Sequence, residues 1–304
     1  MKYNLHTFKT ITFGVILFTS FTLASAQAPK KNHNHKKPVA KSHAAKKKVV
    51  SKPKLFNWKT LENGLYYTQI QAPRMTKIGD YKIDVLKVDP KIFDFELNSY
   101  VMHDTIELTA PEWSEKFGYL AVINAGMYSY SSPLLPVGYM KSKHNLVNPR
   151  IKSSYNSAFV FGGLDNIAKV TDLENLDDSL LYDEYSSALQ SIRMINKKGE
   201  PVTWLSRKYM RCSMGIIGQD KDGFIYLIFI RSPLKPNEMS IFLSKQPLNL
   251  VGLMYLEGGP ETSYVINHPN LKIEKMGCYV SRTWPRNNCT ELRKIPQVIG
   301  VKRK

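Results

Sequence analysis

Two glutamates flank a double-glycine turn in the segment LMYLEGGPETSY at 253–264. Four apolar residues open the segment, as is typical of a short interior strand, and the two glycines and the proline that follow predict a sharp turn. Glu257 and Glu261 would lie on either side of Gly258 and Gly259. The sequence therefore predicts two carboxylates at a rigid corner where a core strand reaches the surface.

Glycines at such a corner let the backbone approach a ligand closely, and consecutive backbone N–H groups can form a concavity that holds an anion. A carboxylate beside it could act as an acid, a base, a nucleophile or a metal ligand, and the sequence does not choose among these roles. The alternative is an ordinary strand-to-turn junction with solvated glutamates.

Five other segments combine apolar strand residues with polar or glycine positions. They are AVINAGMYS at 121–129, PVGYM at 136–140, YNSAFVFG at 155–162, ALQS at 188–191 and RCSMGI at 211–216. Together with the acidic turn, and in this order, they resemble the phosphodiester glycosidase family over about 81–266. The resemblance implies an exported hydrolase that cleaves a sugar from a sugar-1-phosphodiester in envelope or extracellular glycans, with a phosphorylated glycan or sugar phosphodiester as its partner.

The resemblance also implies three catalytic residues: Glu257, Arg211 and Asn124. Arg211 matches an arginine before a strand in the family, and its planar fork suits two phosphate oxygens, although a structural ion pair, including one with Glu257, is the alternative. Asn124 would hydrogen-bond sugar hydroxyls from a strand exit, unless it stabilises a turn. The implied substrate-binding positions are Gly126, Tyr128, Asn156, Ser157, Gln190, Ser191, Gly258, Gly259, Glu261 and Thr262.

One position departs from the family pattern, because the family usually carries Asp where this chain has Glu257. The longer side chain moves the carboxylate by one methylene, roughly 1.5 Å. An inactive glycan-binding envelope protein with the same fold is therefore the alternative function. A divalent cation held by Glu257 is also left open, and the sequence identifies no cofactor.

The first 26 residues have the pattern of a secretory signal peptide. Lys2 and Lys9 precede an apolar stretch at 11–23, and Ala-Ser-Ala at 24–26 predicts cleavage after Ala26. The apolar stretch is short for a bilayer crossing, which favours a cleaved signal peptide over the alternative of an uncleaved anchor. The mature chain has no other candidate span. We expect a periplasmic or secreted protein.

Residues 27–54 are rich in Lys, Ala and His, contain no acidic residue and predict a disordered tether. The chain has a net charge of +18, with 43 basic and 25 acidic residues. Twelve of the basic residues, all lysines, lie before residue 55, so the remainder has 31 basic and 25 acidic residues and a net charge of +6. The excess is segregated in a tail without an aromatic-interleaved groove, which argues against nucleic acid as a partner. We expect the tether to bind anionic envelope polymers, with a solubilising spacer as the alternative.

The three cysteines leave at least one unpaired within a monomer. Cys278 and Cys289 bracket a short loop and are the predicted disulfide. Cys212, at the start of an apolar strand, is predicted to be a small buried residue without a catalytic role.

The remaining pattern predicts one α+β domain over 55–304, with a mixed, largely antiparallel sheet and a few covering helices. Thr109 and Glu112 form a capping-box pattern, and the helix that they begin should end at Gly118. A second helix is predicted at 237–245. Strands are predicted at 65–71, 81–88, 93–100, 120–123 and 253–256, with a hairpin of 214–217 and 224–230.

Overall fold

A computed structural model describes residues 56–131, 133–174, 180–203, 210–281 and 284–304. The predicted signal peptide at 1–26 and the predicted tether at 27–54 lie outside the described residues, as does residue 55.

Two α-helices and sixteen strands form within these ranges. The helices are α1 (Ala110–Phe117) and α2 (Pro236–Ser244). The strands are β1 (Lys59–Glu62), β2 (Leu65–Gln71), β3 (Lys82–Val88), β4 (Phe93–Ser99), β5 (Ala121–Asn124), β6 (Met140–Ser142), β7 (Asn145–Asn148), β8 (Ser157–Phe161), β9 (Lys169–Asp172), β10 (Ser187–Ile195), β11 (Cys212–Asp220), β12 (Ile225–Leu234), β13 (Leu250–Gly258), β14 (Ser263–His268), β15 (Leu271–Met276) and β16 (Gln297–Arg303). Short 3₁₀ turns occupy Tyr100–Met102 and Gly259–Glu261, and a π turn occupies Leu180–Glu184.

The larger of two sheets has the order β1-β2-β3-β12-β11-β13-β10-β6-β7, with β8 bridging β10 and β9. Its centre is β13, which pairs antiparallel with β11 on one side and β10 on the other. The strand is almost wholly buried. Glu257 therefore sits near the end of one of the most enclosed strands in the sheet.

The smaller sheet has the order β15-β14-β5-β16-β4 and packs face to face on the larger one. Aromatic rings bridge the two sheets. Phe229 of β12 stacks on Tyr264 of β14 with ring centroids 5.7 Å apart, and Phe95 of β4 meets Phe159 of β8 at 5.3 Å. Alternating side chains of both sheets thus build the main hydrophobic core.

Each helix covers an outer face. Trp113 of α1 packs with Val122, Val265 and Val298 on the smaller sheet. Residues of α2 pack with apolar side chains on the far face of the larger sheet. The result is four layers: helix, sheet, sheet and helix.

The predicted capping box of α1 is confirmed. The Thr109 hydroxyl accepts from the backbone N–H of Glu112, and the Glu112 carboxylate accepts from the backbone N–H of Thr109 at 2.7 Å. The helix ends at Gly118, which is left-handed with φ of 67°. The second predicted helix is confirmed with a shift of one residue, and the β11–β12 hairpin is confirmed as well.

The expectation of one mixed sheet is wrong. The strands divide between two sheets, and within each sheet every described pair of neighbouring strands is antiparallel. The segments at 81–88 and 93–100 form β3 and β4, which lie in different sheets. Alternating hydrophobicity identifies strands but does not identify their partners. The α+β description remains roughly consistent with this sheet-rich fold.

Cys278 and Cys289 are joined by a disulfide with Cα atoms 5.5 Å apart, and Cys212 is free and buried. Burial raises the pKa of the Cys212 thiol to about 12, so the thiol is protonated at neutral pH. No helix among the described residues is long and apolar enough to span a bilayer.

Thr109→Ala should lower the free energy of unfolding by about 1 kcal/mol, because the first turn of α1 loses its side-chain acceptor. Urea unfolding measures the change. Thr60→Ala, the same substitution on the exposed strand β1, should change it by less than about 0.5 kcal/mol. Equal effects of the two substitutions would contradict the capping role.

Candidate active site

Glu257 carries a buried carboxyl with no cationic partner in the part of the chain that the structure describes. It lies opposite Gly215 of β11, and its residue is only 8% exposed. The backbone N–H of Gly258 donates to Oε1 at 2.8 Å, and no ion pair to Glu257 is formed by the described residues. Burial raises the pKa of Glu257 from 4.5 to about 8; the Gly258 N–H opposes this rise and the charge of Glu261 adds to it. Glu257 therefore keeps its proton at neutral pH.

The corner after Glu257 is fixed by close backbone packing. Gly258 still belongs to β13, so the turn begins one residue later than expected, at Gly259 with φ of +85°. A Cβ at Gly277 would lie 2.1 Å from the Gly259 carbonyl oxygen, and the Gly277 N–H donates to the Thr262 carbonyl at 2.7 Å. Glycine is thus needed at 277 as well as at 259.

Glu261 is held by an arginine from the C-terminal segment. Nη1 of Arg293 lies 2.6 Å from Glu261 Oε1, and the guanidinium lies 4.9 Å from the centroid of the Trp284 ring. Glu261 is nearly buried and Arg293 is partly exposed. The second carboxylate of the turn is therefore neutralised by a fixed cation, whereas Glu257 is not.

Asn124 contacts the acidic turn through both atoms of its amide. Nδ2 donates to the Glu261 carbonyl at 2.8 Å, and Oδ1 accepts the Ser263 N–H at 2.6 Å. The side chain is buried. Asn124 thus connects the exit of β5 to the turn. This is the turn-stabilising role that the sequence analysis gave as the alternative to binding sugar hydroxyls.

Four of the described tyrosines interact electrostatically with Glu257: Tyr128, Tyr130, Tyr155 and Tyr255, the last of which is buried on β13. Burial, Glu261 and Glu257 raise the pKa of Tyr128 and raise that of Tyr130 to about 12. Burial and then Glu257 raise the pKa of Tyr155 to about 12. Tyr128 and Tyr130 follow Gly126 on the loop after β5, and their ring centroids are 5.6 Å apart. Tyr128, Tyr130 and Tyr155 therefore lie close enough to Glu257 for its charge to act on their hydroxyl groups.

Gln190 positions the loop that carries Tyr155. Its Oε1 accepts the N–H groups of Tyr139 and Lys152 at 3.2 and 2.9 Å, and its Nε2 donates to the carbonyls of Lys152 and Tyr155 at 3.1 and 2.8 Å. All four hydrogen bonds available to this buried amide are made within the protein. Gln190 therefore acts as a clamp.

Other predicted substrate contacts also bind backbone. The Ser191 hydroxyl donates to the Tyr255 carbonyl at 2.5 Å, and the Ser157 hydroxyl donates to the Thr171 carbonyl at 3.1 Å. Asn156 lies between Tyr155 and Ser157 and accepts the Leu173 N–H with its carbonyl. Thr262 is fully buried, and its hydroxyl has no partner among the described residues.

Arg211 does not contact Glu257. It is exposed, and its main chain pairs with Ser281 through two hydrogen bonds of 2.8 and 2.9 Å. Gly215 faces Glu257, so Arg211 lies four residues away, roughly 13 Å along the strand. The suggested ion pair of Arg211 with Glu257 is not formed, and Arg211 does not affect the pKa of Glu257.

Four residues of this neighbourhood were not predicted as site residues: Tyr130, Tyr155, Trp284 and Arg293. Tyr155 lies inside a motif that the sequence analysis identified, and Tyr130 lies one residue after the motif at 121–129. Arg293 and Trp284 come from the segment that follows the last of those motifs, and only the predicted disulfide indicated that this segment is structured. Across the described ranges, no group of three or more His, Cys, Asp or Glu side chains could hold a metal ion.

The model of the phosphodiester glycosidase family matches residues 117–302, which is more than half of the chain. The protein is a member of the phosphodiester glycosidase family. The match contains the strand exit at Asn124, the acidic turn and Arg293. It therefore extends the resemblance beyond 266, through the disulfide loop to β16.

Two solved structures share the fold of this phosphodiester glycosidase family member. One is the catalytic domain of zebrafish N-acetylglucosamine-1-phosphodiester alpha-N-acetylglucosaminidase, auto-inhibited by its pro-peptide, with a TM-score of 0.56, 15% identity, and coverage of 79% of this chain and 84% of that one. The other is a hypothetical protein from Synechocystis, with a TM-score of 0.55 and 11% identity, covering 82% of this chain and 64% of that one. No curated protein matches this chain in sequence.

Glu257 should make the stability of the protein depend on pH. Its folded pKa of about 8 exceeds the ordinary value of 4.5, so the unfolded chain releases a proton that the folded chain keeps between these values. The free energy of unfolding should therefore fall by a few kcal/mol as the pH rises from about 5 to about 8.

Urea unfolding of wild type and Glu257→Gln across this pH range tests the effect. The glutamine can still accept the Gly258 N–H but cannot ionise, so the slope should be much smaller in the variant. Glu115→Gln, on the exposed side of α1, should keep the wild-type slope. Parallel curves for wild type and Glu257→Gln would contradict a raised pKa.

Proposed function

We propose that this protein is an exported hydrolase that cleaves a sugar from a sugar-1-phosphodiester in envelope or extracellular glycans, with Glu257 as its general acid. The observation that carries the proposal is the buried Glu257 carboxyl, which retains a proton at neutral pH beside a neutralised Glu261–Arg293 pair. An acid with a pKa near the working pH suits proton donation to a leaving group.

In the proposed reaction, the bond between the anomeric carbon and the phosphate oxygen breaks, and its electron pair stays on that oxygen. Glu257 protonates the oxygen, which leaves as a phosphomonoester. Water supplies the hydroxyl that joins the anomeric carbon and the proton that restores Glu257. The charge of Glu261 favours the protonated form of Glu257.

The other site residues divide by what they contact. Tyr128, Tyr130 and Tyr155 are proposed to contact the sugar, because each interacts electrostatically with Glu257 and offers a ring face and a hydroxyl. Asn124 and Gln190 are proposed to position the turn and the Tyr155 loop. The exposed Arg211 would contact substrate groups farther from the reacting bond. The remaining positions form the backbone around the site: Gly126, Asn156, Ser157, Ser191, Gly258, Gly259 and Thr262.

The mature full-length chain should release sugar from a synthetic sugar-1-phosphodiester. Glu257→Gln should lower kcat at least about 100-fold, as expected for loss of a general acid. In wild type, kcat/KM should fall as the pH rises above about 8, the pKa of the acid.

Glu115→Gln is the matched control and should leave turnover unchanged. Turnover by a folded Glu257→Gln protein at the wild-type rate would remove Glu257 from the mechanism. If neither protein turns over any diester and both retain polysaccharide, the glycan-binding alternative replaces the hydrolase, because the carboxylate would then be one methylene too long.

The basic segment at 27–54 is proposed to hold the exported protein near anionic envelope polymers. Its lysines have no acidic neighbours in sequence, so the attraction should be screened by salt. Deleting 28–54 should weaken sedimentation with purified cell envelopes at low salt and should leave kcat unchanged. Equal, salt-independent retention of both proteins would reduce the segment to a spacer.

A further inference from the structure

Arg293 is held beside the acidic turn by two contacts from different parts of the chain. Nη1 lies 2.6 Å from Glu261 Oε1, and the guanidinium lies 4.9 Å from the centroid of the Trp284 ring. Stacking on an indole and pairing with a carboxylate restrict both the plane and the direction of the guanidinium. Arg293 is therefore oriented before any ligand arrives.

Trp284, on which Arg293 stacks, is itself held against the turn. Val280 and Trp284 exchange two backbone hydrogen bonds of 2.8 and 3.1 Å inside the loop closed by the disulfide of Cys278 and Cys289. A Cβ at Gly259 would lie 3.3 Å from Val280, so this loop packs directly on the double-glycine corner. Movement of the loop would move Trp284, Arg293 and the corner together.

Among the described residues, Glu261 is the one acceptor of a hydrogen bond from the guanidinium of Arg293. Of its five N–H donors, those on Nη1 face Glu261, and the side chain is 40% exposed. The charges of Glu261, Glu257 and Arg293 all act on the pKa of Tyr130. Arg293 thus contacts the carboxylate whose charge acts on Glu257, whereas no contact joins Arg211 to Glu257 or Glu261 among the described residues.

We propose that Arg293 is the phosphate-binding residue of this site and that it selects phosphodiesters over phosphomonoesters. This inference rests on the proposed function. Two phosphate oxygens would accept from the free edge of the guanidinium while Glu261 holds Nη1.

The charges explain the selection. Protonated Glu257 is neutral, and Arg293 with Glu261 sums to zero. A diester then brings one negative charge, whereas a terminal monoester brings about −1.5 to −2 at neutral pH. The second charge of the monoester meets no further cation among the contacts described for the turn, so the diester is favoured.

The test compares Arg293→Gln with Arg286→Gln on two substrates. Arg286 is an exposed arginine of the same disulfide loop, so both variants lose one charge. The substrates are a sugar-1-phosphodiester and a neutral nitrophenyl glycoside of the same sugar. Arg293→Gln should lower kcat/KM for the diester roughly 10- to 100-fold, the loss typical of a charged hydrogen bond. Arg293→Gln should lower kcat/KM for the glycoside by less than about fivefold. Arg286→Gln should leave kcat/KM unchanged for both substrates.

An equal loss on both substrates would make Arg293 a structural residue and overturn the proposal, as would an unchanged rate on the diester. Wild-type turnover of the monoester at the diester rate would overturn the selectivity. Arg293→Lys keeps the charge without the fork, so it should show an intermediate loss on the diester alone. It also serves if the glutamine variant does not fold.

A binding measurement distinguishes failure of the Arg293 phosphate site from failure of the proposed hydrolase function. If wild type hydrolyses no substrate, calorimetry with a nonhydrolysable phosphonate analogue of the diester still reports on Arg293. Binding that weakens at least tenfold in Arg293→Gln and is unchanged in Arg286→Gln would support the phosphate site even though the hydrolase function is rejected. No binding by wild type, or equal binding by all three proteins, would overturn the site.

Discussion

The proposed chemistry depends on the burial of one carboxyl, that of Glu257, for which the described residues supply no cation. Within the described ranges Glu257 accepts a hydrogen bond from one backbone N–H and pairs with no cation, while the neighbouring Glu261 pairs with Arg293. A buried group that cannot be paired holds its proton instead of ionising, because removing a charge from water costs far more than one neutral hydrogen bond returns. Two glutamates four residues apart thus have different surroundings: Glu257 keeps its proton in a buried position, and Glu261 pairs with a cation.

The rest of the molecule serves this arrangement. The central position of β13 excludes water from Glu257, and Asn124 ties the following turn to the smaller sheet. Gln190 closes the Tyr155 loop through four hydrogen bonds, and the disulfide loop supports Arg293 from beneath. Polar residues that resemble substrate contacts in the sequence are mostly satisfied by backbone, which keeps the few free groups in fixed positions.

Local signals in the sequence identified much of this framework. The Thr109 capping box, the β11–β12 hairpin and the strand before Glu257 follow from spacing within a few residues. The division into two sheets could not be predicted, because β4 and β16 pair across most of the chain and period-two alternation does not encode a partner. The Arg293–Glu261 pair was missed for the same reason, since only the folded disulfide loop brings the two together. Arg211 was favoured as the cation because it lies beside a recognised strand, but strand register places Gly215 opposite Glu257.

The most direct test of the account is the titration of Glu257 itself. In the folded protein labelled with ¹³C at the glutamate carboxyl, the resonance that disappears in Glu257→Gln should titrate with a midpoint near pH 8. A midpoint near the ordinary value of 4.5 would show that the carboxylate is charged at neutral pH, and this would contradict its role as the proton donor.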